Sequence, residues 1–238
     1  MLHVPRTARQ PPLSTNIISL DRLRLHLEGR THLTEATVKV GGLDYRITHP
    51  AAADALIDEE EFERDERLPY WADLWPSAIA LARWLSVRDL LGKRVLELGC
   101  GVGLPSVVSL LRGAQVVVSD QYAAAMDFAV FNARSNKGRE PDTFLLDWRR
   151  PELDGLGRFD LVIAADVLYE ALSGLALAEL VPQLLSPGGE AVFADPNRNT
   201  APVFLDGMEE HGFRVATENL SIEQGGKNVE IRLHRLRN

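Results

Sequence analysis

The chain has 238 residues, 45% of them apolar, and a formal net charge of −8. At about 150 residues per domain this allows one or two domains with a sizeable core, and the acidic balance argues against sequence-independent binding to nucleic-acid backbones unless basic residues cluster locally. One cysteine excludes an intrachain disulfide, and no stretch approaches the roughly 18 apolar residues of a membrane span, so a soluble, cytoplasmic protein with no membrane partner is expected.

In chain order, residues 1–68 read as an N-terminal extension and 69–238 as the main domain. The start is proline-punctuated and expected to be loosely held. Leu23-Arg-Leu25-His-Leu27 alternates strictly, which favours a strand locally and leaves a helix before it open. Val38–Val40 and Tyr45–Ile47 flank Gly41-Gly42, a hairpin signal that suggests a lid or platform. The acidic run Asp58-Glu-Glu-Glu61 reads as solvated surface. Pro69-Tyr-Trp-Ala-Asp-Leu-Trp75-Pro76 follows, and Tyr70 and Trp71 are expected to pack the linker onto the core. Apolar spacing then predicts a helix over Ile79–Leu91.

Val95–Leu98 is a short apolar run ending in a loop with Gly99, Gly101 and Gly103, and a helix over Leu104–Leu111 opens with Pro105 in its first turn. Strand, glycine loop and helix together make a nucleotide-type crevice. A dinucleotide frame would place its glycines at Gly101, Gly103 and position 106, where Ser106 is small enough to keep that option open. Glu97 argues the other way, because an anion there repels phosphate and welcomes a cation. The next strand, Gln115–Ser119, ends in Asp120, at the spacing of an acid that accepts ribose hydroxyls. Cys100 has no histidine near it and reads as a small loop residue rather than a nucleophile. The six histidines show no ligand-like spacing, so no metal is implied.

A helix over Ala123–Arg134 leads to a strand around Thr143–Leu146 that ends in Asp147-Trp148, a carboxylate and an indole suited to an adenine ring. Phe159–Ala165 is continuously apolar, as in a strand buried on both faces, and delivers Asp166 and Tyr169 to the crevice. As structure alone, Asp166 would cap a helix over Leu172–Leu185 and Tyr169 would merely pack. After the turn Ser186–Gly189, a strand over Glu190–Ala194 runs into Asp195-Pro-Asn-Arg198-Asn199, whose function the residues leave open. A helix over Pro202–His211 and strands over Phe213–Asn219 and Asn228–Leu236 complete a mostly parallel sheet with one antiparallel strand.

Glu97-Leu-Gly99-Cys-Gly101-Val-Gly103 resembles motif I of the class I, seven-strand methyltransferases that use S-adenosylmethionine. Trp75-Pro76, Asp147-Trp148 and Asp166-x-x-Tyr169 resemble the family 16 lysine methyltransferases. Within that family, Pro69-Tyr-Trp and Leu23-Arg-Leu-His-Leu look most like bacterial relatives of the lysine methyltransferase of the electron-transfer flavoprotein β-subunit. The resemblance implies an α/β, Rossmann-like, doubly wound sheet of seven strands with a small N-terminal hairpin extension. It also implies S-adenosylmethionine as cofactor, S-adenosylhomocysteine as product, and a protein partner that presents lysine. The cofactor would lie against Trp75, Glu97, Gly99, Cys100, Gly101, Gly103, Asp120, Asp147, Trp148 and Ala165, with Asp166 and Tyr169 as catalytic residues that orient the amine. Deprotonating a lysine of pKa about 10.4 at pH 7 costs roughly 4.6 kcal/mol, which desolvation and a neighbouring sulfonium reduce. Two alternatives stay open: a small-molecule amine N-methyltransferase, and a non-catalytic cofactor-binding interaction protein.

Overall fold

A computed structural model describes residues 18–57 and 68–238. The expected loose start and the acidic run Asp58–Glu61 lie outside the described residues. The first element corrects the strand expected over Leu23–Leu27, since Leu20–Leu27 is a helix, α1. Its Ser19 side chain accepts from Arg22 N at the N-cap, and Leu23 and Leu27, four apart, are buried on one face while Leu25 is 76% exposed. The alternation of leucines satisfied both periodicities, and the cap and the i,i+4 stripe decide for the helix. Strands β1 (Leu33–Val40) and β2 (Leu43–Pro50) form the expected hairpin, and both residues of the Gly41-Gly42 turn have positive φ, which suits glycine and matches the strand twist.

The rest alternates helix and strand: α2 (Pro76–Ser86), β3 (Arg94–Leu98), α3 (Leu104–Leu111), β4 (Gln115–Asp120), α4 (Ala123–Ser135), β5 (Asp142–Leu145) and β6 (Phe159–Ala165), followed by α5 (Ala171–Leu184), β7 (Leu185–Asp195), α6 (Ala201–Glu210), β8 (Arg214–Gln224) and β9 (Lys227–Arg237). The helix expected at Ile79–Leu91 instead starts at Pro76, whose fixed φ suits a first turn, and stops at Ser86; Leu91 is apolar yet 79% exposed. The seven strands pair in the order β5-β4-β3-β6-β7-β9-β8, parallel throughout except that β9 runs antiparallel to both neighbours. This is the expected Rossmann-like doubly wound sheet. The turn expected at Ser186–Gly189 is a register shift in the β6–β7 pairing: Phe159 faces Leu185 and Leu161 faces Glu190. Helix α5 takes Glu170 as its N-cap without a side-chain bond, so Asp166 does not cap it.

Strand alternation splits the core between the two sheet faces. Val95, Leu161 and Ile163 point to α2, α3 and α4 with Leu81, Val107 and Phe128, whereas Leu96, Val162 and Ala164 point to α5 and α6 with Leu177 and Phe204. The N-terminal segment joins the first layer through Leu23, Leu27, Val40 and Ile47. Polar contacts fix it further. Asp127 of α4 accepts from Arg22 at 2.6 Å and lies 2.7 Å from His26 Nε2. Asn132 accepts from Thr48 N at 2.8 Å while its amide donates to the carbonyls of Thr48 and Val102, each at 2.9 Å. One side chain therefore joins the hairpin to the glycine loop. The chain leaves β3 for β4 and β5 on one side and returns to β6 on the other, so the sheet order reverses there and a crevice opens at the carboxyl ends of β3 and β6.

Candidate functional site

The crevice is a cleft of about 1040 Å³, open solvent included, built from the ends of β3, β4, β5 and β6 and the segment before α2. Trp75, Glu97, Gly99, Cys100, Gly101, Gly103, Asp120, Asp147, Trp148, Ala165, Asp166 and Tyr169 all line it. Sequence reading thus drew together residues that the fold also draws together.

Gly99, Gly101 and Gly103 all have positive φ, a region that side-chain-bearing residues rarely adopt. Packing adds a second constraint at all three, with a Cβ on Gly101 placed 3.1 Å from the Trp71 carbonyl oxygen. A Cβ on Gly99 would lie 3.0 Å from the Trp148 ring and from Val167, and one on Gly103 would lie 2.5 Å from Ala129 Cβ. The glycines thus admit a neighbouring indole and a neighbouring helix as much as a ligand. Ser106, the residue that kept a dinucleotide frame open, donates its backbone N–H and its hydroxyl to Glu97 Oε2.

Glu97 is 1% exposed. Burial, with a smaller push from the Asp120 charge, lifts its carboxyl to about 8 against the two Ser106 donors. The anion expected at Glu97 is therefore corrected: burial leaves it largely protonated at neutral pH in the free protein. Asp120 closes β4 with Oδ2 accepting from Gly101 N at 3.2 Å and Oδ1 from Tyr122 N at 3.0 Å. Burial outweighs these donors and lifts it to about 6. The Cys100 thiol is buried and, pushed up by desolvation and by both carboxylates, stays protonated, which fits a loop residue rather than a nucleophile.

Six carboxylates, Asp73, Glu97, Asp120, Asp147, Asp166 and Glu170, line the cleft against one arginine, Arg149, among the described residues. With Glu97 holding its proton, the other five still outnumber the arginine, a balance that favours a cation and disfavours a pyrophosphate. The Asp147 carboxylate accepts from Arg149 N at 2.9 Å. The indole Nε1 of Trp148 is buried with no hydrogen-bond partner among the described residues, a donor that a polar ligand atom would satisfy. Among the described residues no group of three His, Cys, Asp or Glu side chains stands where it could hold a metal ion.

Asp166 and Tyr169 sit where the cleft meets a second, outer groove of about 940 Å³, which they share with Trp75. Asp166 has φ 59°, uncommon outside glycine, and is almost wholly buried. Its Oδ1 accepts from Arg198 Nε and lies beside Nη2, both at 2.6 Å, and burial raises the carboxyl above the usual carboxylate range even though this guanidinium opposes it. Arg198 N in turn donates to Asp195 Oδ1 at 2.7 Å. Tyr169 keeps its proton, because burial and the charges of Glu170 and Asp120 raise it above the usual phenol range.

Two residues of this site went unassigned in the sequence. Arg198 lies 32 residues from the aspartate it pairs with, and only its place in a loop after a parallel strand hinted at the ligand side. Tyr70, expected to pack, is 41% exposed and lines the cleft; its ring meets Trp75 and Tyr169, and its carbonyl accepts from Trp75 Nε1 at 2.8 Å. Trp71 does pack, on Phe128 and Tyr122.

Residues 61–211 match the model of a family described as lysine methyltransferase. The chain is 35% identical over 127 residues to protein N-lysine methyltransferase METTL21A of Danio rerio, covering 50% of this chain and 55% of that protein. It is 32% identical over 136 residues to the electron transfer flavoprotein beta subunit lysine methyltransferase of Xenopus laevis, covering 55% and 53%. The chain thus spans about half the length of these curated relatives. Among solved structures it resembles magnesium protoporphyrin IX methyltransferase from Synechocystis with bound S-adenosylmethionine, at TM-score 0.55 and 22% identity over 68% of this chain and 78% of that one, a likeness of fold.

Proposed function

Because this chain belongs to the lysine methyltransferase family, we propose that it transfers methyl groups from S-adenosylmethionine to the side-chain amine of lysine in a protein partner. The observation that carries the reading is the cleft lined by six carboxyl groups, five of them beside the protonated Glu97, and one arginine, opening through Trp75, Asp166 and Tyr169 onto an outer groove. Bound there, S-adenosylmethionine would supply an electrophilic methyl on a sulfonium.

Asp120 and the glycine-loop backbone would hold the ribose, and Trp148 with Leu146 and Ala165 would cover the base. Glu97 would answer the positive charge of the methionine part by giving up its proton. Among the described residues Asp166 Oδ2 takes no hydrogen bond, so it is available to an amine N–H while Arg198 holds Oδ1. Tyr169, a phenol that keeps its proton, can accept from the amine without acting as a base. Most of the acceleration would come from alignment of the nitrogen behind the methyl group. The two family relatives described above are named as protein-lysine methyltransferases, which supports a protein acceptor over a small amine. Among the described residues no helix is long and apolar enough to cross a membrane, and a lone, buried, protonated thiol suits a reducing cytoplasm.

The test is incubation of the purified protein with methyl-labelled S-adenosylmethionine and a size-fractionated lysate. Label on protein, retained at lysine after hydrolysis, is expected. Label on small molecules alone would select the small-amine reading. No transfer despite measurable cofactor binding would select the non-catalytic one. Calorimetry should also give binding of S-adenosylmethionine and S-adenosylhomocysteine but not of NAD.

A further inference from the structure

Three aromatic rings meet where the cleft opens. Tyr70 stands 5.2 Å from Tyr169 at 62° between ring planes, and 6.0 Å from Trp75 at 72°. None of these contacts is a parallel stack. An edge-to-face contact covers one face of one ring and leaves the other faces available, so the three rings form an angled corner rather than a sealed plug. The corner is braced by the bond from Trp75 Nε1 to the Tyr70 carbonyl, and Tyr70 belongs to a single turn, Tyr70–Ala72, that continues toward the N-terminus of α2. Asp166, the acid of the outer groove, lies beside Trp75 and Tyr169 in both cavities.

Ring faces at steep angles with a carboxylate alongside suit one class of ligand. The electron-rich faces attract a cation, and a methylated ammonium spreads its charge over C–H groups that need no hydrogen-bond acceptors. An unmethylated ammonium gives up more hydration on entering such a corner, since its N–H donors want oxygen. We infer that Tyr70, Trp75 and Tyr169 form a binding site for N-methylated ammonium groups, with Tyr70 as the residue that sets its preference for them. This inference rests on the amine-methylating reading above and extends it: a once-methylated lysine is held rather than expelled and meets the next cofactor in place. In each transfer the nitrogen lone pair forms the new N–C bond while the methyl–sulfur bond breaks and leaves its electron pair on sulfur. Before each attack the ammonium gives one proton to solvent, so three transfers to a lysine ammonium release three protons and end on a trimethylammonium that has none left to lose.

Binding can be read without knowing the acceptor. The ligand used is Nε-trimethyllysine capped at both ends, compared with its neutral tert-butyl isostere, each titrated by calorimetry or NMR with and without S-adenosylhomocysteine. The cation is expected to bind at least about fivefold tighter than the isostere. Tyr70→Leu should remove most of that difference, and Tyr70→Phe, which keeps the ring, should preserve it. Equal binding of cation and isostere, no binding of either, or an unchanged preference in Tyr70→Leu would overturn the site. Tyr70 is partly exposed, and a thermal midpoint of Tyr70→Leu within a few degrees of that of Tyr70→Phe shows that a lost preference is not a folding effect. Mass spectrometry of labelled protein should also show Tyr70→Leu shifted toward monomethyl product. Failure of S-adenosylhomocysteine to bind would strike the methyltransferase reading alone, because the trimethyllysine titration stands without it.

Discussion

Glu97→Gln is the most informative single substitution, because it removes one titration while leaving an oxygen for the two Ser106 donors. The native carboxyl titrates at about 8 in the fold, against 4.5 when exposed. Between those values the folded chain binds more protons than the unfolded chain, so stability is full below pH 4.5 and falls by about 1.36 kcal/mol per pH unit until pH 8. The interval from pH 6 to pH 9 therefore removes roughly 2.5 kcal/mol from the native protein that Glu97→Gln does not lose. For a chain of this size that is on the order of 5–10 °C in Tm. Urea and thermal unfolding of both proteins without cofactor, at intervals from pH 6 to 9, measure the difference directly, and titrating groups other than the neighbouring Asp120 and Cys100 cancel between the two curves. Calorimetry of S-adenosylmethionine at pH 7 in buffers of different ionisation enthalpy adds a second readout: the native protein should release a proton on binding and the variant should not. Profiles that stay parallel within about 0.5 kcal/mol would refute the reasoning that burial controls Glu97.

Asp120→Ala should weaken S-adenosylhomocysteine binding by about 1–3 kcal/mol, the cost of leaving polar partners unpaired; unchanged affinity in calorimetry would remove Asp120 from the ribose role. Asp166→Asn and Tyr169→Phe should keep cofactor affinity within a few-fold while lowering labelling of lysate protein at least about tenfold, or about 1.4 kcal/mol of barrier. Parallel loss of affinity and turnover would make them cofactor or structural residues instead. Gly103→Ala places a methyl 2.5 Å from Ala129 Cβ at a positive φ and should destabilise by about 2–4 kcal/mol in urea unfolding; a smaller loss would mean that α4 gives way there.

The strand and helix alternation, the glycine loop and Asp120 were legible from local spacing, whereas Trp75, Trp148, Asp166 and Tyr169 were legible through the family resemblance of the short motifs that hold them. What escaped rests on tertiary placement. Leu23-Arg-Leu25-His-Leu27 fits a two-residue and a four-residue period alike, and only the Ser19 cap and the buried face resolve it. Val87 and Leu91 extend an apolar pattern past Ser86 although both side chains are exposed, which moved the predicted end of α2. The proton on Glu97 depends on burial, which no spacing reveals. The pairing of Arg198 with Asp166 depends on two loops meeting across 32 residues, and Tyr70 reads as linker packing until its ring is seen beside Tyr169.

The Asn132 amide has a bearing on the order in which the molecule is made. Synthesis delivers the N-terminal hairpin first, yet the side chain that receives Thr48 lies 84 residues further along and also holds the glycine loop at Val102. The hairpin therefore waits for α4 to emerge, and its seating and that of the loop become one event. A sequence change in the hairpin, far from any ligand, is thereby felt as a change in how firmly the loop is set.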